Sequence, residues 1–175
     1  MADEDDALQQ KQVADSDGAA QALIAQYLPQ QALDTLRHTI HVGEQRHTGQ
    51  IVLCIEGSLS PEDALKHATP RQRALALFGE LRVWDTEDNN GVMLYLLMER
   101  HAIELVADRA LNRCVAQAAW DSITQRLTVA LRAHQYENGL QSALEQISGL
   151  LITHFPSSDA RPRDNTVSDA PVVLP

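Results

Sequence analysis

The chain has 175 residues and a mass of 19.3 kDa, which suits one domain with terminal extensions. Its formal charge of −10, from 24 acidic and 14 basic side chains, argues against a nucleic-acid partner, because phosphate binding needs clustered lysine and arginine. No apolar run reaches the roughly 18 residues that a membrane-spanning helix needs, and the acidic N-terminus is unlike the basic start of a signal peptide. We therefore expect a cytoplasmic protein without direct membrane insertion.

Both ends of the chain have the composition of disordered tails. Residues 1–19 lack hydrophobic periodicity and are rich in acids. Residues 157–175 hold three prolines among serine, aspartate and arginine. The folded domain is therefore predicted to span residues 20–156.

The first predicted elements are two helices and a strand. Residues 20–28 suit a short helix, and Pro29 opens a longer one that presents an apolar face before Gly49 ends it. The segment QIVLCIEG, residues 50–57, is apolar, rich in β-branched side chains and closed by a glycine. These properties are typical of a buried strand.

A third helix, a hairpin and two closing helices follow. Thr69, Pro70 and Gln72 predict an N-cap, a first helical position and a capping box. An apolar strand over 91–98, a polar corner and a strand over 102–107 then indicate a hairpin. Apolar residues at helical spacing predict the last two helices: Trp120, Ile123, Leu127 and Leu131 in one, and Leu140, Leu144, Ile147 and Leu151 in the other.

This order of elements predicts the α/β fold class. A strand, a helix and a strand in succession imply parallel strands joined by a right-handed crossover, whereas the hairpin adds an antiparallel strand. We therefore predict a small mixed sheet with helices on both faces. Burial on both faces also explains why residues 92–97 show no polar alternation.

Polar side chains collect at one edge of this predicted sheet. Asp85, Asp88, Asn89 and Asn90 precede the first hairpin strand, and Asp108 follows the second. Because the hairpin is antiparallel, these two ends lie at the same edge. Carboxylate and amide oxygens are the ligands that Ca²⁺ and Mg²⁺ prefer, so the five residues form a candidate metal site. The same residue types are also common in plain turns, which is the alternative interpretation.

Three stretches of the chain together resemble the TPM domain family: RALALFGELRVWDTEDNNGVMLYLL, IELVADRALN and LLITHFP. The similarity covers about residues 30–156 and is most specific at Trp84, at the Asn89-Asn90-Gly91 turn and in the apolar strand after it. The resemblance implies an α/β sandwich with a mixed sheet. It also implies two activities, the phosphatase activity of the plant members and the divalent-metal binding, of calcium especially, of some others. By position, the polar residues before the hairpin match the family's loop.

Two departures from the family pattern weaken the transfer of phosphatase activity. Many relatives are exported, with a signal peptide and often a membrane anchor, and we expect neither here. The glycine-rich segment that usually follows the third strand is replaced by Ala107-Asp108-Arg109, which removes backbone flexibility and adds a charge pair. We therefore predict a non-enzymatic binding or accessory module with a calcium or magnesium site. The alternatives are a metal-assisted acid phosphatase acting on phosphomonoesters and a metal-free protein-interaction module. Resemblance to short bacterial members implies a protein partner in an envelope-associated system, either LemA-like or an exported TPM protein.

Overall fold

Two apolar runs become the central strands of the sheet, in a computed structural model that describes residues 2–66, 69–157 and 168–175. β1 (Gln50–Glu56) and β2 (Gly91–Leu97) are buried along their whole length and pair in parallel. β3 (Ala102–Ala107) pairs antiparallel with β2, which confirms the predicted hairpin. β4 (Val172–Leu174) pairs in parallel with β1, so that the strand order is β3-β2-β1-β4.

Helices make up most of the rest of the described chain. They are α1 (Ala2–Tyr27), α2 (Gln30–Glu44), α3 (Pro61–Lys66), α4 (Pro70–Glu80), α5 (Arg109–Cys114), α6 (Gln117–Arg132) and α7 (Tyr136–His154). The predicted capping box opens α4, because the Thr69 hydroxyl accepts from the Gln72 amide and the Gln72 side chain accepts from the Thr69 amide. Among the described residues, no helix combines the length and hydrophobicity that a membrane crossing requires.

The side chains of the two central strands alternate between two hydrophobic cores. Ile51, Leu53 and Ile55 face a large core that α1, α2, α6 and α7 cover. Val52 and Cys54 face a smaller core on the other side, which α4 covers. The prediction of a mixed sheet with helices on both faces is therefore confirmed.

The packing of α2 on α7 closes the larger core. A Cβ atom added to Gly43 of α2 would lie 2.6 Å from the Ser148 Oγ of α7. The absence of a side chain at this position is what allows the two helices to approach so closely.

The structure differs from the sequence prediction at both ends of the chain. α1 begins at Ala2, within the segment 1–19 that was predicted to be a disordered tail, and its Ala20 and Ile24 are buried. At the other end, the predicted tail 157–175 contributes β4: the Gly57 amide donates to the Leu174 carbonyl at 3.0 Å. Apolar contacts explain this strand, because Val172 and Leu174 pack against the smaller core. Residues 158–167 of that predicted tail lie outside the described residues.

Candidate functional site

The connection between α4 and β2 carries four of the five predicted ligands, and a tight turn holds three of them, Asp88, Asn89 and Asn90. Asn89 adopts a φ of 51° and its amide donates to the Thr86 carbonyl, while the Asn90 amide donates to the Thr86 hydroxyl. Asparagine tolerates this left-handed conformation better than most residues. Gly91 then enters β2 against Val83, whose carbonyl oxygen would lie 1.9 Å from a Cβ atom at Gly91. The turn therefore has a fixed shape that presents Asp88 and Asn90 at the edge of the sheet.

The end of β3 brings Asp108 to the same edge. The Asp108 amide donates to the Gly91 carbonyl at 2.9 Å, and the Ala110 amide donates to the Asn89 carbonyl at 3.1 Å. Asp108 is the N-cap of α5, and its Oδ1 accepts from the Arg109 amide at 2.6 Å. The antiparallel hairpin thus places residues from two separate segments beside each other.

A third segment, the start of β1 and the residues just before it, joins this edge through Thr48, which was not among the five predicted ligands. The Thr48 hydroxyl donates to Asp88 Oδ2 at 2.9 Å and accepts from Asn90 Nδ2 at 3.0 Å. Its position follows from the register, since Gln50 pairs with Gly91 and Thr48 lies two residues before Gln50. Thr48 could therefore have been found by extending the parallel pairing backwards. We call Thr48, Asp88, Asn90 and Asp108 the rim site.

Two buried oxygen atoms of the rim site have no hydrogen-bond partner among the described residues. They are Asn90 Oδ1 and Asp108 Oδ2, in residues that are 0% and 7% exposed. A buried polar oxygen without a donor costs about 1–3 kcal/mol, and more when it is charged. An electropositive group bound at the rim site would remove this cost.

The other two predicted ligands are placed differently. Asp85 is exposed, and in the described part of the chain no hydrogen bond or ion pair joins its side chain to the rim site. Asn89 Oδ1 accepts from Arg109 Nη2 at 3.1 Å, so this oxygen already has a donor. Within the described ranges, no group of three or more His, Cys, Asp or Glu side chains is arranged to hold a metal. The rim site instead combines two carboxylates, one amide and one hydroxyl.

The opposite end of the sheet carries a buried charged network that the sequence analysis also missed. Arg73 donates to Glu56 Oε1 at 2.6 Å through Nη2 and to Oε2 at 3.2 Å through Nε, and the Tyr95 hydroxyl donates to Glu56 Oε2. Burial, with help from the hydrogen bond to Glu56, raises the pKa of Tyr95 above its ordinary value. Burial also raises the pKa of the neighbouring Cys54 thiol to about 12. Because the charged groups of this network pair with one another, we assign it a structural role and not a catalytic one. The sequence feature that could have revealed this network is Arg73, a charged residue on the buried face of α4.

Comparisons with known proteins identify the family. The sequence profile of the TPM domain matches residues 22–150, well over half of the chain. Among solved structures, the chain is similar to the BA42 protein of the psychrophilic bacterium Bizionia argentinensis, determined by NMR, with 20% identity and a TM-score of 0.69. That match covers 82% of this chain and 92% of the other, and it shows a shared fold. A comparison with curated proteins found no match. On the extent of the profile match, this chain belongs to the TPM domain family.

Proposed function

We propose that this TPM domain is a non-enzymatic binding module that takes up a divalent cation, calcium before magnesium, at the rim site. One observation carries the proposal: Asn90 Oδ1 and Asp108 Oδ2 are both buried and without a donor, in residues that adjacent backbone hydrogen bonds hold together. A structural turn would be expected to satisfy such oxygens with donors, as the Thr48 hydroxyl does for Asp88 and the Arg109 guanidinium does for Asn89.

The chemistry of the donor set favours a hard cation. Calcium and magnesium take oxygen ligands, whereas zinc and copper prefer imidazole and thiolate. Asp88 and Asp108 supply two negative charges that match a divalent ion, and Asn90 adds a neutral oxygen. Calcium accepts about six to eight oxygens in flexible geometry, so water and backbone carbonyls can complete a shell that these side chains begin.

Calcium titration followed by thermal unfolding tests the proposal. A ligand that binds only the native state stabilises it by about 2.7 kcal/mol at a hundredfold excess over its Kd. For a chain of this length, that stabilisation corresponds to a rise in Tm of about 5–10 °C. The variant Asp108→Asn should abolish the rise, and asparagine caps a helix as well as aspartate does, so the fold should persist.

Asp85→Asn is the matched control. It removes one negative charge from the same loop but lies outside the rim site, so the calcium-dependent rise in Tm should be kept. If calcium, magnesium and manganese all leave the Tm of the unaltered chain unchanged, the proposal is wrong. An equal loss in both variants would indicate attraction to general negative charge instead of a defined site.

The two alternatives from the sequence stay predictions that the same proteins can test. Turnover of p-nitrophenyl phosphate that disappears in Asp88→Asn, with the fold intact, would favour the metal-assisted phosphatase. Binding of a LemA-like or exported TPM protein that is unaffected by a chelator would favour the metal-free interaction module.

A further inference from the structure

A cavity of about 420 Å³ opens at the end of the sheet opposite the rim site. Its floor is formed by Leu96 and Met98, at the C-terminal end of β2, and by Ile103, near the start of β3. The rim site lies at the N-terminal end of β2, so the two locations share no residue. A volume of this size falls within the range of about 300–1,000 Å³ that small-molecule sites occupy.

One wall of the cavity is a stack of three rings from separate elements. The ring centroids of Tyr27 and Tyr136 are 4.5 Å apart, and those of Tyr27 and His134 are 5.9 Å apart. Leu96 and Met98 on the floor are 1% and 3% exposed. A flat apolar ring could therefore lie on the floor beside the stack, where dispersion and offset stacking favour it.

The polar groups that line the cavity, among the residues that the structure describes, are all basic or neutral. None of these lining residues is acidic, although the chain has 24 acidic against 14 basic side chains. Arg132, His101 and His134 line it instead, and all three are exposed. An arginine fork binds a carboxylate with two parallel hydrogen bonds. The charge of the cavity is thus complementary to an anion, in contrast to the surface of the chain as a whole.

Both histidines adopt the left-handed backbone conformation. His101 has a φ of 49° and His134 a φ of 57°, and these are two of the four non-glycine residues with positive φ in the described chain. Histidine is among the residues that adopt this conformation more often than most, and both lie in turns: the His101 amide donates to the Met98 carbonyl, and the His134 amide donates to the Leu131 carbonyl. These two turns place both histidines in the lining of the same cavity.

We propose that this cavity binds a small aromatic carboxylic acid, with the ring between the tyrosine stack and the floor and the carboxylate at Arg132 and His134. The aromatic wall and apolar floor select the ring, and the wholly non-acidic lining selects the anion. This site is independent of the rim site, so its test does not depend on cation binding.

Titration of the ¹⁵N-labelled full chain with 4-phenylbutyrate tests the assignment. A fragment of this size should bind with a Kd of about 0.1–1 mM and should shift the backbone amides of Met98, His101 and His134. Arg132→Gln should weaken binding about tenfold, because it removes the charge-assisted hydrogen bonds while keeping a good helix former at an exposed position. The neutral analogue 4-phenylbutanamide should bind about tenfold more weakly than the acid for the same reason.

Arg126→Gln is the matched control. Arg126 lies on the same helix, donates to Gln146 and does not line the cavity, so its loss should leave the affinity unchanged. No saturable binding, shifts confined to other residues, or equal affinity for the acid and the amide would each overturn the proposal. An equal loss of affinity in both arginine variants would do so as well, because it would indicate only a general effect of net charge.

Discussion

Glu56 and Arg73 face each other across the buried end of β1, with side chains that are 3% and 9% exposed. The guanidinium donates to both carboxylate oxygens, and Asp63 lies 3.3 Å from its other terminal nitrogen. Neither charge has free access to water, so each depends on the other. The cost of separating them is therefore larger than for an ion pair at the surface.

Replacing Arg73 with methionine should destabilise the domain by about 3–5 kcal/mol, because it leaves a buried carboxylate without its counter-ion. Urea unfolding followed by circular dichroism measures the change. Arg71→Met is the control on the same helix: Arg71 pairs with Glu104 at 3.6 Å in a half-exposed setting, and its loss should cost less than about 1 kcal/mol. Equal costs for the two variants would contradict the assignment of Arg73 to the structural network.

Replacing Thr48 with valine should destabilise the domain by about 1–3 kcal/mol, because Asn90 Nδ2 then loses its acceptor inside the protein. Valine has nearly the same shape as threonine, so the effect reports on the hydroxyl group. Thr48→Ser keeps the hydroxyl and should cost less than half as much. The order of the two urea midpoints checks this prediction, and it is contradicted if serine is the more damaging change.

Replacing Cys54 with alanine should make the domain less sensitive to alkaline pH. The native thiol has a pKa of about 12 against 9.0 for the exposed group, so the unfolded chain releases this proton first as pH rises. The native state then binds more protons than the unfolded state, and stability falls between these two values by about 1.4 kcal/mol per pH unit.

The stabilisation that results from the raised pKa of Cys54 is fully present below pH 9.0, and the alanine variant lacks it. The stability difference between the unaltered chain and Cys54→Ala should therefore shrink by about 2 kcal/mol between pH 7 and pH 10.5, a change that urea unfolding at the two pH values can detect. A difference that does not vary with pH would show that the thiol titrates alike in both states.

Replacing Gly91 with alanine should destabilise the domain by about 3 kcal/mol or more, because the new Cβ atom would overlap the Val83 carbonyl oxygen. Gly149→Ala is the matched control within α7, where nothing lies within 4 Å of the added atom. Alanine at that exposed helical position should stabilise by about 0.5–1 kcal/mol. We expect Tm to fall in Gly91→Ala and to rise in Gly149→Ala. An unchanged Tm in Gly91→Ala would contradict the close approach of Gly91 to the Val83 carbonyl.

The sequence predicted the elements whose signals are local. The apolar runs of β1, β2 and β3 and the cap at Thr69 each carry their own pattern, and the structure has all four. α3 and α5 were not predicted, since six residues are too few for a helical period to show. β4 has only three residues, and it is a strand because the edge of β1 accepts it, which is a contact that local patterns do not contain.

The residues of the candidate site likewise fall into those that the sequence placed correctly and those that it did not. Asp108 could be placed beside Asn89 and Gly91 because antiparallel pairing fixes which strand ends meet. Asp85 was grouped with them by closeness in sequence alone, and it lies exposed outside the rim site. Thr48 lies two residues before β1, and it was overlooked because only charged and amide side chains were considered as ligands; extending the parallel pairing of Gln50 with Gly91 backwards places its hydroxyl at the same edge.

The close approach of Gly43 to Ser148 ties helices from opposite ends of the chain into one core. Loop-closure entropy must be overcome before such a contact contributes to stability, so we expect this contact to form late in folding. A chain still lacking α7 would leave part of the apolar face of β1 and β2 uncovered. We therefore expect this face to be exposed to other chains until the last long helix has been synthesised.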